Sequence, residues 1–314
     1  MPGRLTAVTG ASGFLGRHIV SELARRGDRV RILLRNPAAC PPWAECTPEV
    51  VEGDLSPASL RRLVAGADVV VHCAGLISAT SFAEFDEVNH RGAEAAAQAT
   101  LAVAPRARFV LVSSLAAREP GLSSYALTKR SGEAKVRALL REDRTLVVRP
   151  PAIYGPGDKA TLPLFRMAAK AAFAPMIRPL GGRLALIHVE DAAAAIVDLA
   201  LSDASGIVTL GGDRPEGYEW RELVLALFEA YGRPRPRMVR VPAPVIRAAA
   251  ALTALVSHVA RKPAVFSPGK ANELLHRDWS VSARELGPRP QPVRYPLREG
   301  LAHTAAWYRD QGWL

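Results

Sequence analysis

Short apolar runs alternate with amphipathic stretches through the first half of the chain. Leu5–Thr9 is an uninterrupted apolar run that stops at glycines, which predicts a strand. In Gly16–Arg26, Ile19, Val20 and Leu23 recur at helical spacing. The alternation continues with strands at Arg29–Leu34, Val50–Glu52, Asp68–His72, Phe109–Ser113 and Thr145–Arg149. Between them, helices are predicted at Ser59–Val64, Asn89–Ala102 and Tyr125–Leu140. Strand and helix in turn imply an α/β fold with a doubly wound parallel sheet, buried on both faces.

The second half is less regular and richer in Pro and Gly. Leu184–His188 and Ile207–Leu210 read as strands and Asp191–Leu201 as a helix, and all three are expected to rejoin the sheet. The expected domains are then 1–154 with about 184–212, binding a dinucleotide, and 155–183 with 213–314. The second is a smaller, interwoven C-terminal substrate-binding cap, punctuated by Pro234–Pro236 and Pro288–Pro292.

Composition narrows the function classes. The 314 residues are 49% hydrophobic and 23% charged, which suits an ordinary globular protein. A net charge of +11 raises nucleic-acid binding as a thought. The arginines are scattered, however, and no nucleic-acid motif accompanies them, so a basic solvated surface and no nucleic-acid partner are expected. Three cysteines, Cys40, Cys46 and Cys73, make no disulfide framework and point to a reducing cytosol. No metal is expected, because no HExxH or Cys/His spacing occurs. The N-terminus reads as strand and turn rather than as a leader. The apolar run near Ala248–Ala260 is shorter than the ~20 residues of a span. Burial is its default reading; contact with a membrane through 241–260, or a place in a greasy pocket, stays open.

Candidate chemistry begins at the first turn. Gly10, Ser12, Gly13, Phe14, Leu15 and Gly16 follow the first strand and open the first helix. Glycines there allow a tight turn and a close approach of backbone N–H groups to a pyrophosphate at the helix N-terminus. This strand–turn–helix context makes the predicted fold Rossmann-type. At the end of the second strand, where an acidic residue would bind the ribose of NAD(H), stands Arg35. An arginine can hold the 2′-phosphate bidentately, so NADP(H) is favoured over NAD(H), with Arg31 a candidate helper.

Tyr125 and Lys129 stand four apart at the start of a predicted helix, which puts both on one face. A chance pair at this spacing is expected only about 0.1 times in this composition. A Lys ammonium ~4 Å from the phenol, at an effective dielectric of ~20, favours phenolate by up to ~4 kcal/mol. The pair is thus a candidate general acid/base.

These residues resemble the extended branch of the short-chain dehydrogenase/reductases, the NAD-dependent epimerase/dehydratase superfamily. The resemblance covers nearly the whole chain. It rests on Gly10–Gly16, Gly53-Asp54-Leu55, Cys73-Ala74-Gly75, Asn89, Ser113-Ser114, Tyr125–Lys129, the run Arg149 to Asp158, and His188-Val189-Glu190-Asp191-Ala192. The likeness implies that Asp54 and Leu55 contact adenine, that Ala74 and Gly75 line the cofactor, and that Pro150 and Ile153 sit near the nicotinamide. It implies Ser114 and Tyr125 at the substrate oxygen, Lys129 on the ribose, and Asn89 in support. Ser114 and Tyr125 are 11 apart, shorter than usual for the branch, so Ser113 and Ser123 remain alternatives.

The expected activity is hydride transfer from NADPH to a ketone or aldehyde, or the reverse with an alcohol. The chain is similar to dihydroflavonol-reductase-like and 3β-hydroxysteroid-dehydrogenase-like members, and a bulky apolar substrate such as a keto-lipid or polycyclic ketone is expected. A sugar-nucleotide epimerase or dehydratase is the first alternative. Those enzymes usually carry an acidic residue where Arg35 stands, and the dehydratases an Asp-Glu pair that Leu115-Ala116 does not supply. A non-catalytic NADP-binding assembly or regulatory subunit is the second. The resemblance admits a homodimer through helices near Asn89–Ala102 and Tyr125–Leu140. The expected location is the cytoplasm, with peripheral contact at the inner face of a membrane left open.

Overall fold

A computed structural model describes residues 3–177, 179–260, 266–287 and 293–314. In chain order the elements are β1 Leu5–Thr9, α1 Phe14–Arg25, β2 Arg29–Leu34, β3 Glu49–Glu52, α2 Pro57–Val64, β4 Val69–His72 and α3 Phe82–Phe85. There follow a π-helical turn Asp86–Arg91, α4 Gly92–Val103, β5 Arg108–Val112, α5 Ser124–Leu139, β6 Thr145–Arg149, β7 Ala152–Tyr154, α6 Leu162–Lys170, β8 Phe173–Met176, β9 Arg183–Leu184, β10 Leu186–His188, α7 Val189–Ala200 and β11 Gly206–Thr209. The chain ends with β12 Tyr218–Glu219, α8 Trp220–Glu229, β13 Arg237–Arg240, α9 Ala243–Ala260, α10 Pro268–Leu275, β14 Asp278–Trp279 and α11 Leu297–Asp310.

Two compact units emerge, residues 1–149 with 193–209, and residues 150–192 with 210–314. The first is built on a seven-stranded parallel sheet in the order β3-β2-β1-β4-β5-β6-β11. Side chains alternate across the strands, and both faces are covered. Ala7, Leu33, Val70, Phe109, Leu111 and Val147 pack on one face with Leu60 and Leu63 of α2, the alanines of α4 and Val136 of α5. The other set, Val8, Ile32, Val71 and Val110, is equally buried, as are Ile19, Val20 and Leu23 of α1. Such two-sided burial explains why these strands read as continuous apolar runs. The order reverses between β1 and β4, the place where sheets of this kind open a crevice beyond their C-terminal ends.

The second unit gathers α6, α8 and α11 around Tyr154, Phe165, Trp220, Phe228, Leu301 and Tyr308. Phe165 and Tyr308 meet edge to face at 5.0 Å. Glu219 and Glu222 form a reciprocal capping box at the start of α8. The strands here are short and make three small sheets, β10–β7, β12–β9–β14 and β13–β8.

One expectation needs correction. Ile207–Leu210 does join the large sheet, as β11 beside β6, but Leu184–His188 does not. That segment breaks at Ala185. Its first half pairs with β12 and β14, and its second half, β10, runs parallel to β7 in a separate pair. The apolar pattern predicted strands and carried no information about their partners. The proline stretch Pro288–Pro292 lies outside the described residues.

Candidate active site

The first unit collects the predicted residues at the C-terminal ends of its central strands. After β1, Gly10 takes φ +71°, a left-handed backbone that favours glycine. A Cβ there would lie 2.6 Å from Ala74 N and 2.7 Å from Cys73 C, so the loops after β1 and β4 touch backbone to backbone. At Gly16 a Cβ would lie 2.0 Å from Gly10 O, so α1 must approach its own entry turn closely. Gly13 caps α1 without any side-chain bond to the helix, and no acidic residue occupies the first turn. Ser12 and Gly13 are exposed, and Phe14 and Leu15 are half-buried. A positive helix end left uncapped beneath a bare backbone turn fits a pyrophosphate.

The residues expected at the adenosine end fall into two groups. Arg35 is exposed directly after β2, on the same edge as Asp54, whose carboxylate it helps to keep ionised. The principal cause of that carboxyl's lowered pKa is hydrogen bonding to Ser56, whose N–H donates to Asp54 Oδ1 at 3.0 Å. Leu55 is half-buried against α4, where a Cβ on Gly92 would come within 2.7 Å of Leu55 Cδ1. Arg31 is corrected as a helper of Arg35. It donates to Leu63 O and Ala65 O at 3.1 and 2.6 Å and pairs with Glu49 at 2.8 Å. Four residues of strand carry its side chain back to the C-terminal end of α2, whose carbonyls it caps.

The centre of the site is a buried lysine. Lys129 is 7% exposed, and its Nζ donates to Val112 O at 2.9 Å. Burial pushes its pKa down, and Cys73 and Glu133 push weakly back. Gly75 makes room for it, since a Cβ on Gly75 would stand 3.2 Å from Lys129 Nζ and 3.1 Å from Asn89 Oδ1. Asn89 sits in the π-helical turn, 3% exposed. Its Oδ1 accepts from Leu76 N at 2.8 Å, and its Nδ2 donates to Leu76 O at 3.0 Å and Thr128 Oγ1 at 3.3 Å. The amide therefore ties the loop after β4 to α5 beside Lys129. Tyr125 lies one turn earlier, half-exposed, with its ring 6.3 Å from that of Phe85.

The three serines differ in what holds them. Ser113 is buried and donates to Glu133 Oε1 at 2.6 Å. Ser123 caps α5, accepting from Ala126 N at 3.0 Å. Ser114 is half-buried and accepts from Ala116 N at 3.1 Å, which leaves its hydroxyl hydrogen to donate elsewhere. Pro150 and Ile153 open the second unit, with Pro150 buried and Ile153 half-buried on β7, paired with Ile187.

Glu133 and His72 escaped the sequence reading. Glu133 receives Arg149 Nε and Nη2 at 2.8 and 2.5 Å as well as Ser113, a buried pair under the active-site helix. Its spacing of four from Lys129 was the available signal. His72 ends β4, with Nδ1 3.0 Å from Thr9 Oγ1, while that oxygen also accepts from Ala74 N at 3.2 Å. Nothing in the local sequence announced it.

Comparison with known proteins agrees with the dinucleotide-binding fold. Residues 6–211 match the model of the NAD dependent epimerase/dehydratase family. A protein of Caulobacter vibrioides named ceramide reductase is 47% identical over 311 residues, 99% of this chain and 96% of its own length. A mitochondrial protein of Arabidopsis thaliana, NADH dehydrogenase [ubiquinone] 1 alpha subcomplex subunit 9, is 30% identical over 79% of this chain and 63% of its own length. Among solved structures, MoeE5 in complex with UDP-glucose and NAD superimposes with a TM-score of 0.72 at 21% identity, covering 98% of this chain and 99% of that one. The chain belongs to the NAD dependent epimerase/dehydratase family, in the extended branch of the short-chain dehydrogenase/reductases, and is an oxidoreductase.

Proposed function

We propose that the protein is an NADPH-dependent reductase of a long-chain keto-lipid, of the kind that gives a ceramide on reduction. The observation that carries this reading is the 47% identity to the ceramide reductase, which runs through both units rather than through the dinucleotide half alone. The other two likenesses are lower in identity, and that to the UDP-glucose complex speaks for fold only.

When bound, NADPH supplies the hydride that the carbonyl carbon receives. The chain's own residues do the rest. Gly10, Gly13 and the open end of α1 hold the pyrophosphate, and Arg35 holds the 2′-phosphate. Ser114 and Tyr125 hydrogen-bond the carbonyl oxygen, and Tyr125 gives it a proton as charge develops there. Lys129, held by Val112 O and buried beside Gly75, fixes the ribose and presents its ammonium to the Tyr125 phenol. The glycine at 75 is what lets the lysine reach a bound cofactor.

Three measurements test the assignment. Tyr125→Phe should lower turnover of a keto-ceramide by ~10²- to 10⁴-fold, the usual worth of a positioned proton donor, while NADPH affinity by fluorescence titration stays within a few-fold. Equal turnover by the variant removes Tyr125 from proton transfer. Arg35→Ala should weaken NADPH binding and leave NADH binding unchanged; an unaltered NADPH preference removes Arg35. Stoichiometric NADPH consumption separates a reductase from an epimerase, and bound NADPH without turnover of any ketone would instead favour a non-catalytic subunit.

A further inference from the structure

The helix α9 presents an apolar stripe to solvent that the second unit does not use. Its inner side is spent on packing: Ile246 and Ala250 are buried against Ala271 of α10, with Val241, Ile177 and Leu275 around them. Its outer side carries Val245, Leu252, Leu255 and Val256, exposed by 54, 63, 62 and 58%. Ala248 and Ala249 are exposed too, and steps of three, four and seven place all six on one side of the helix. Singly exposed apolar residues are ordinary; six in one stripe over several turns are not.

Charge identifies the partner. From Glu229 to Glu273 the chain contains no acidic residue between those two, and it carries eight Arg and Lys. Arg237, Arg240 and Arg247 are exposed on β13 and α9. A similar gap runs from Asp158 to Glu190. In the β8–β13 pair that leads into α9, Phe173 and Val239 are exposed as well. An apolar stripe flanked by cations and free of anions has the character of a helix that lies in a bilayer interface. A second copy of the chain fits poorly, because pairing these faces would bring two such basic segments together. Among the described residues no helix is long and apolar enough to cross a membrane.

We infer that α9 docks the protein on an anionic phospholipid surface, with Val245, Leu252, Leu255 and Val256 entering the acyl boundary and Arg240 and Arg247 meeting the headgroups. This deepens the keto-lipid reading, since a substrate with long acyl chains resides in that surface.

Flotation of the full chain with vesicles tests it. Vesicles of equimolar phosphatidylcholine and phosphatidylglycerol should capture the protein at least tenfold better than phosphatidylcholine alone, with capture falling as salt rises. L252E/L255E should lower capture at least tenfold, and so should R240E/R247E, which leaves the apolar stripe intact. Turnover of a short-chain, water-soluble keto analogue should stay unchanged in both variants, which separates docking from the activity itself. Absence of capture on the anionic vesicles, or capture indifferent to both variants, overturns the inference. A concentration-dependent dimer that L252E/L255E abolishes, without vesicle binding, assigns the stripe to a second copy and overturns it equally.

Discussion

His72 is fully buried at the end of β4, and burial, with Lys129 nearby, drops its pKa from an ordinary 6.5 to about 3. The folded protein therefore keeps this imidazole neutral, whereas the unfolded chain protonates it below pH 6.5. Because the folded pKa is the lower one, the stabilisation is complete above pH 6.5 and is lost as pH falls toward 3. Between pH 6.5 and 4.5 the loss from this one group is about 2 to 3 kcal/mol. Urea unfolding at those two pH values should show that loss in the wild type and a smaller one in His72→Gln. Equal losses in both would mean that the native state accepts the proton. The neighbouring Cys73 thiol is pushed up to about 11 by burial, so it stays protonated and inert at neutral pH. Both groups stay uncharged beside Lys129, whose own pKa burial pushes down.

At the scale of elements, the site depends on close approaches that only glycine permits. The π-helical turn Asp86–Arg91 places Asn89 at the joint of two pieces, the loop after β4 and α5, beside Lys129. Gly132 lets α5 press on that turn, since a Cβ there would sit 2.5 Å from Asn89 O. π turns of this sort concentrate at functional sites. At the other end of the crevice, Gly16→Ala would force a Cβ to within 2.0 Å of Gly10 O, and backbone rather than a flexible side chain must yield. We expect about 1–3 kcal/mol of destabilisation and at least a tenfold loss of NADPH affinity, as α1 is levered away from the turn it caps. Thermal unfolding and fluorescence titration of the same variant check the two halves of this expectation. Unchanged affinity would mean that the helix end does not face the cofactor.

For the whole molecule, the decisive feature is strand order. A parallel sheet arranged 3-2-1-4-5-6 with β11 added beside β6 opens once, between β1 and β4. Gly10 and Ala74 flank that opening. The charge of +11 is spread unevenly on the same scale, with the two longest acid-free stretches, 230–272 and 159–189, both in the second unit's segments. This unevenness, rather than the total, is what supports the proposed docking of α9 on a lipid surface.

Most of the first unit was legible in the sequence. Leu5–Thr9, Arg29–Leu34 and Thr145–Arg149 are strands with the bounds expected, because burial on both faces writes itself as an unbroken apolar run. The glycine turn and the Tyr125–Lys129 spacing were legible for a similar reason, as local geometry recorded in neighbouring residues. Less could be read where partners are far apart along the chain. Leu186–His188 looked like a strand of the main sheet and pairs instead with β7. Arg31 looked like a phosphate ligand and caps α2. Glu133 drew no reading from the sequence and is buried against Arg149 and Ser113. The amphipathic helices α6, α8 and α11 went unrecognised, since each buries its apolar side in a core shared with elements far along the chain. Local spacing thus determined the dinucleotide fold and marked Tyr125 and Lys129 as the candidate pair. Tertiary packing alone decided which charges are buried and that Ser113 commits its hydroxyl hydrogen to Glu133. It also decided that the apolar run of α9, for which burial was the default, leaves one side in solvent. Those outcomes depend on contacts between residues that no window of sequence contains.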